Sequence, residues 1–108
     1  MNRMSRRLYH MKADIIKAVA HPVRLAVLDC LGRGEKCVCD ITEAVGAQRS
    51  NVSRHLAVMV KAGVLTSRKE GLKVFYRLRT PCILGFLSCV EAALREQLKE
   101  NQVVLSRL

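Results

Sequence analysis

From Leu8 onward, the apolar residues Leu8, Met11, Ile15, Ile16 and Val19 recur at three- and four-residue intervals. That is the spacing of one face of a helix, predicted over 8–19. His21-Pro22 stops it, and Pro22 suits the first turn of a second helix. Val23, Leu25, Ala26, Val27, Leu28 and Leu31 make that helix strongly apolar, and Gly32-Arg33-Gly34 ends it. Glu35 to Cys39 reads as a short connector. Asp40-Ile41-Thr42-Glu43 has the form of a capping box, which predicts a short third helix from Asp40 to about Gly46. A turn at Gly46-Ala47 leads into a fourth helix over about 48–62. Its apolar residues Val52, Leu56, Met59 and Val60 fall on one face, and Gly63 follows as a stop.

The period then changes. Residues 64–68 and 72–78 read as two strands joined by a loop at Lys69-Glu70-Gly71, a hairpin with Val74, Tyr76 and Leu78 on one face. Thr80-Pro81 opens a long last helix. Ile83, Leu87, Val90, Leu94 and Leu98 follow a spacing close to a heptad seam. The predicted order is α-α-α-α-β-β-α, mainly helical with a β-hairpin. A short helix, a glycine turn and a second helix form a helix-turn-helix, and a basic hairpin directly after it is a wing. The fold class is therefore a winged helix-turn-helix.

At 108 residues the chain fits one domain over 1–108, with residues 1–11 expected as a basic arm and 99–108 as a flexible end. With 4% aromatic residues and no Trp, the core must be aliphatic. No apolar run approaches the ~20 residues of a membrane helix, and no secretory signal is readable behind Arg3, Arg6 and Arg7, so a cytoplasmic protein without membrane contact is expected.

Charge sharpens this picture. The formal net charge is +10. Residues 1–12 carry +4 and residues 48–79 carry +7, whereas the remainder is close to neutral. A field concentrated in this way calls for a polyanionic partner, double-stranded DNA first. The fourth helix presents Arg49, Ser50, Asn51, Ser53 and Arg54 on its first two turns, off the apolar face, and His55 follows. The N-terminal part of the second helix of a helix-turn-helix meets base edges in the major groove. Arg and Asn read guanine and adenine there, and Ser serves bases or backbone. Arg68, Lys69 and Lys73 on the hairpin are placed to hold phosphates. DNA binding of this kind needs no cofactor.

Four segments together resemble one family: His21-Pro22-Val23-Arg24-Leu25, Cys37-Val38-Cys39-Asp40, Ser50-Asn51-Val52-Ser53-Arg54-His55-Leu56, and Arg68 to Tyr76. They are similar to the ArsR/SmtB repressors, dimeric winged-helix proteins that leave DNA when a metal or metalloid binds. The resemblance spans about residues 12–98. It implies a homodimer built from the first and last helices, and the heptad-like seam of the last helix points the same way.

Five cysteines in a chain expected to be cytoplasmic are not expected as disulfide partners, and an odd number cannot pair fully within one chain. Cys37 and Cys39 lie on what reads as extended chain, where side chains two apart point the same way. The helix start behind them and Lys36 beside them favour thiolate. The resemblance makes this pair a soft-metal site of the arsenite-sensing type. In those relatives a third Cys follows three positions later, and here Thr42 stands there. The remaining candidates for a third ligand are Cys30, Cys82 and Cys89. Cys30 also reads as a core residue among Leu28 and Leu31. Cys82 and Cys89 are two turns apart, ~10 Å along a helix. The zinc site of the family's last helix is not matched by Thr80, Pro81, Cys82, Ala93 and Glu96. Thiolate-only ligation suits arsenite, cadmium, lead or Cu(I).

The expected function is a repressor that leaves its operator when a soft metalloid or metal, arsenite first, binds cysteine thiolates. The alternative is a repressor of the same fold triggered by thiol oxidation or persulfidation. A thiol metal carrier or oxidoreductase is more distant. There is no Cys-x-x-Cys, no Ser/His/Asp set and no Gly-rich phosphate loop, so enzyme activity is not expected.

Overall fold

The computed structural model describes all 108 residues. The chain runs α1 (Arg3–Val19), α2 (Pro22–Leu31), β1 (Lys36–Cys37), α3 (Val38–Val45), α4 (Arg49–Lys61), β2 (Leu65–Glu70), β3 (Lys73–Leu78) and α5 (Ile83–Ser106). This is a winged helix-turn-helix: α3, the Gly46 turn and α4, followed by the β2–β3 wing. The core forms where α2, α3 and α4 meet. Val27, Leu28, Ile41, Val52, Leu56, Met59 and Val64 are each completely buried there. Full burial of one such side chain stabilises the fold by about 1.5–3 kcal/mol. Ile83 seats the start of α5 on the same cluster, with Leu84 and Leu87 packed against it.

The helix ends follow local chemistry. The His21 imidazole caps α2: Val23 N–H donates to Nδ1 at 3.1 Å, ahead of Pro22 at the first helical position. Gly46 closes α3 with φ 73°, and its N–H donates to the Thr42 carbonyl. A left-handed residue there turns the chain sharply into α4, and glycine takes that conformation without steric cost.

Three expectations are corrected. Residues 3–11, expected as a basic arm, are the first turns of α1, whose start is capped by Asn2: Ser5 N–H donates to Asn2 Oδ1 at 2.8 Å. The last helix, α5, continues to Ser106, through most of 99–108. The segment expected as a connector contains a strand. Lys36 pairs with Tyr76 and Cys37 with Phe75, giving a three-stranded sheet in the order β1-β3-β2. Finally, Asp40-Ile41-Thr42-Glu43 is not a capping box. Because β1 delivers the chain directly to the core, α3 starts at Val38, which is buried, and Cys37 is the cap residue with no side-chain capping bond. Asp40 lies inside the first turn, where its charge still favours the helix dipole.

The wing is longer than expected. Glu70 pairs with Lys73, leaving a two-residue turn, Gly71-Leu72, with Gly71 at φ 62°. Lys69 therefore stands within β2, opposite Val74, not in the loop.

Candidate DNA interface and thiol site

α4 buries Val52, Leu56 and Met59, which turns its other face outward. Arg49, Ser50, Ser53 and Arg54 are exposed and Asn51 is half-buried. Arg54 donates a hydrogen bond to Asn51 Oδ1, so these two side chains present a joined donor surface. No acid lies in the first turn of α4. On the wing, Lys69 and Lys73 are exposed, and Leu72 at the tip is fully so. The outward face of α4 and the wing thus present Arg49, Arg54, Lys69 and Lys73 as exposed cations in no ion pair, with Ser50, Asn51 and Ser53 beside Arg49 and Arg54.

Two of the expected contacts are engaged elsewhere. Arg68 is clamped by carboxylates: its Nη2 is 2.6 Å from Glu35 Oε1, its Nε donates to both Glu35 oxygens at 3.0 Å, and its Nη1 is 2.8 Å from Glu70. The Arg68 guanidinium also lies over the Phe75 ring, 4.7 Å from its centre. The hydrogen bond from Arg68 holds the Glu35 carboxyl below the usual carboxylate range against the opposing effect of burial. The same contacts raise the Arg68 pKa. His55 is turned toward the body of the protein. Its Nδ1 accepts from Arg24 Nε at 3.0 Å, its ring lies 4.3 Å from that of His21, and Arg24 also donates to the Ala18 carbonyl. Partial desolvation, then the charges of His21, Arg24 and Arg54, push the His55 pKa down. The Glu35–Arg68 and Arg24–His55 contacts were missed by sequence reasoning, because each joins residues more than 30 positions apart.

The thiols are not arranged as the sequence suggested. Cys37 is buried at 4% exposure and Cys39 is exposed. Strand alternation does not hold across Cys37 and Cys39 because the chain changes from strand to helix between them. Two steps along a helix rotate a side chain by about 200°. Cys30 is half-buried against the core, as its apolar neighbours implied, while Cys82 and Cys89 are exposed on or beside α5. No three His, Cys, Asp or Glu side chains converge within one chain. Thr42, where a third thiol would stand, donates its hydroxyl to the Val38 carbonyl at 2.7 Å and is thereby a helix-internal residue.

α1 and α5 carry the remaining unexplained surface. Leu8, Met11, Ile15 and Ile16 on α1 and Phe86, Val90, Leu94 and Leu98 on α5 are all 40% or more exposed. Contiguous exposed apolar stripes of this kind commonly mark protein interfaces. No helix is long and apolar enough to cross a membrane.

Comparison with known proteins agrees with this geometry. Residues 21–67, from the α2 cap to the middle of β2, match the model of the bacterial regulatory protein arsR family. The chain is 32% identical over 102 residues to an HTH-type transcriptional regulator of Mycobacterium tuberculosis, Rv0081, covering 94% of this chain and 90% of that one. It is 32% identical over 96 residues to the arsenical resistance operon repressor of Escherichia coli, covering 88% and 82%. Among solved structures it is similar to the homodimeric winged helix-turn-helix DNA-binding domain of Mb0332 from Mycobacterium bovis. The TM-score is 0.79, with 27% identity over 93% of each chain. The acid-free face of α4, the wing and these relatives together place the chain in the arsR family of DNA-binding transcriptional repressors.

Proposed function

We propose that this protein is a homodimeric operator-binding repressor whose release from DNA is triggered by a soft thiophilic species, arsenite first, at Cys37 and Cys39. The observation that carries the reading is the placement of Cys37. It is at once the last residue of a strand paired to the wing and the cap residue of the helix that supports α4. A ligand that draws the Cys37 and Cys39 sulfurs together must move Cys37 out of its buried position, because the two side chains leave opposite sides of the chain. That movement disturbs β1 and the first turn of α3 together. Through the Gly46 turn it displaces Arg49 to Arg54. A third donor comes from Cys30, Cys82, Cys89 or the second subunit.

The dimer forms through the exposed faces of α1 and α5, and each protomer supplies one recognition helix to a half-site. Release needs only a differential affinity of ~1–3 kcal/mol between the two states. The similarity to an arsenical resistance operon repressor supports arsenite as the inducer.

The test is operator binding followed by fluorescence anisotropy during titration with arsenite and, separately, with polysulfide. Cys37→Ser and Cys39→Ser each keep operator binding and lose the arsenite response. Release of the Cys37→Ser, Cys39→Ser double variant at wild-type arsenite concentrations overturns the reading and moves the sensor to Cys82 and Cys89. Release by polysulfide but not by arsenite replaces metalloid sensing with thiol oxidation.

A further inference from the structure

Cys37 is buried, yet it stands outside the apolar cluster that fills the core. Its surroundings lie in the sheet. Directly paired residues on neighbouring antiparallel strands project from the same face with Cβ atoms ~5 Å apart. Cys37 pairs with Phe75, and Phe75 pairs with Arg68 on its other side. The guanidinium of Arg68 lies over the Phe75 ring at 4.7 Å. From there it reaches back across the sheet to Glu35, only two residues before Cys37. The Arg68 side chain is 50% exposed and that of Glu35 is 29% exposed, so this outer layer faces solvent.

We infer that Phe75, Arg68 and Glu35 form a lid over the Cys37 thiol, fastened by the Glu35–Arg68 ion pair. Glu35 and Arg68 are positioning residues in this arrangement: they touch no ligand but set how fast an external thiophile reaches Cys37. Cys39 lies outside the lid, so the two thiols of the pair are engaged in order, Cys39 first. Lifting the lid takes Glu35 off Arg68 and loosens β1 from the wing. This explains why a bidentate arginine pair, stronger and more directional than a lysine pair, joins the wing to the segment that carries the thiol. The coupling of lid opening to DNA release rests on the proposed function, but the lid itself does not.

The test needs neither DNA nor inducer, so its failure is distinct from failure of the repressor reading. The reduced full-length protein is alkylated with N-ethylmaleimide, and the rates at Cys37, Cys39 and Cys30 are resolved by peptide mass spectrometry. In Glu35→Gln the Cys37 rate rises about three-fold, the scale set by one partly exposed ion pair, while Cys39 and Cys30 keep their wild-type rates. Raising salt from about 0.05 M to about 0.5 M screens the pair, so it accelerates Cys37 in the wild-type protein and has no such effect in Glu35→Gln. An unchanged Cys37 rate in Glu35→Gln overturns the lid. So does a parallel rise at Cys30, which reports loosening of the whole domain.

Discussion

Arg24 on α2 donates its Nε–H to Nδ1 of His55 on α4 at 3.0 Å, and this bond ties α2 to the second helix of the helix-turn-helix. The bond requires a neutral His55, because a protonated Nδ1 carries its own hydrogen. Burial disfavours the charged form, and the charges of His21, Arg24 and Arg54 around the ring act in the same direction. The folded pKa therefore lies below the unfolded value of about 6.5. Its contribution to stability is fully present above that value and is lost as the pH falls through the folded pKa. The urea midpoint is expected to drop between about pH 7 and pH 5. His55→Asn keeps an acceptor without a titrating ring and should flatten that part of the profile. An equally steep acid loss in the variant assigns it to other groups.

Salt dependence tests the DNA face. With Arg68 held by Glu35 and Glu70, each protomer offers Arg49, Arg54, Lys69 and Lys73. Eight phosphate contacts per dimer give a slope of log K against log salt near −7. A slope of −2 or shallower removes the basic-face argument. Arg54→Ala should weaken operator binding and lessen the slope by about 1 per protomer, with an unchanged melting temperature.

The interface prediction turns on two leucines of one helix. Leu87 packs against its own core, whereas Leu94 is 53% exposed. Leu94→Asp should give folded monomers in sedimentation and lose operator affinity, while Leu87→Asp should unfold the domain. A Leu94→Asp protein that remains fully dimeric places the interface elsewhere.

Gly46 offers a measurement of backbone geometry alone. At φ 73°, with nothing within 4 Å of an added Cβ, its replacement meets no steric contact but enters the left-handed region. Gly46→Ala should destabilise by about 1–2 kcal/mol and Gly46→Asn by less. Equal midpoints for Gly46→Ala and wild type in urea would show that the turn relaxes to another conformation.

The repeating parts of the fold were legible in the sequence, and the single-residue junctions were not. α2, α4 and α5 announce themselves because a helix that packs on a core repeats its apolar positions over several turns, as Val52, Leu56 and Met59 do. The start of α1 is also carried by the sequence: Met4, Leu8, Met11 and Ile15 continue one stripe behind the Asn2 cap, although Arg3, Arg6 and Arg7 interleave it with charge. β1 was not available, since a two-residue strand has no period and exists only through its pairing with Tyr76 and Phe75. The misplacement of Cys39 follows from that omission. Without β1 to fix the chain, sequence pattern places the start of α3 at Asp40 and leaves Cys39 extended, whereas pairing of Cys37 starts the helix at Val38. The outward placement of Arg49, Ser50, Ser53 and Arg54 is legible because the core pattern of α4 leaves them nowhere else to point.

The apolar stripes of α1 and α5 bear on how the repressor is counted in a cell. If only a second copy covers them, a dilute protomer is both less stable and unable to span two half-sites. Operator occupancy then grows with the square of protomer concentration while monomer predominates. A two-fold fall in expression would cost nearly four-fold in bound dimer in that range. Dilution by growth would thus loosen repression on its own, giving the promoter a sensitivity to protein supply separate from any chemical signal at the thiols.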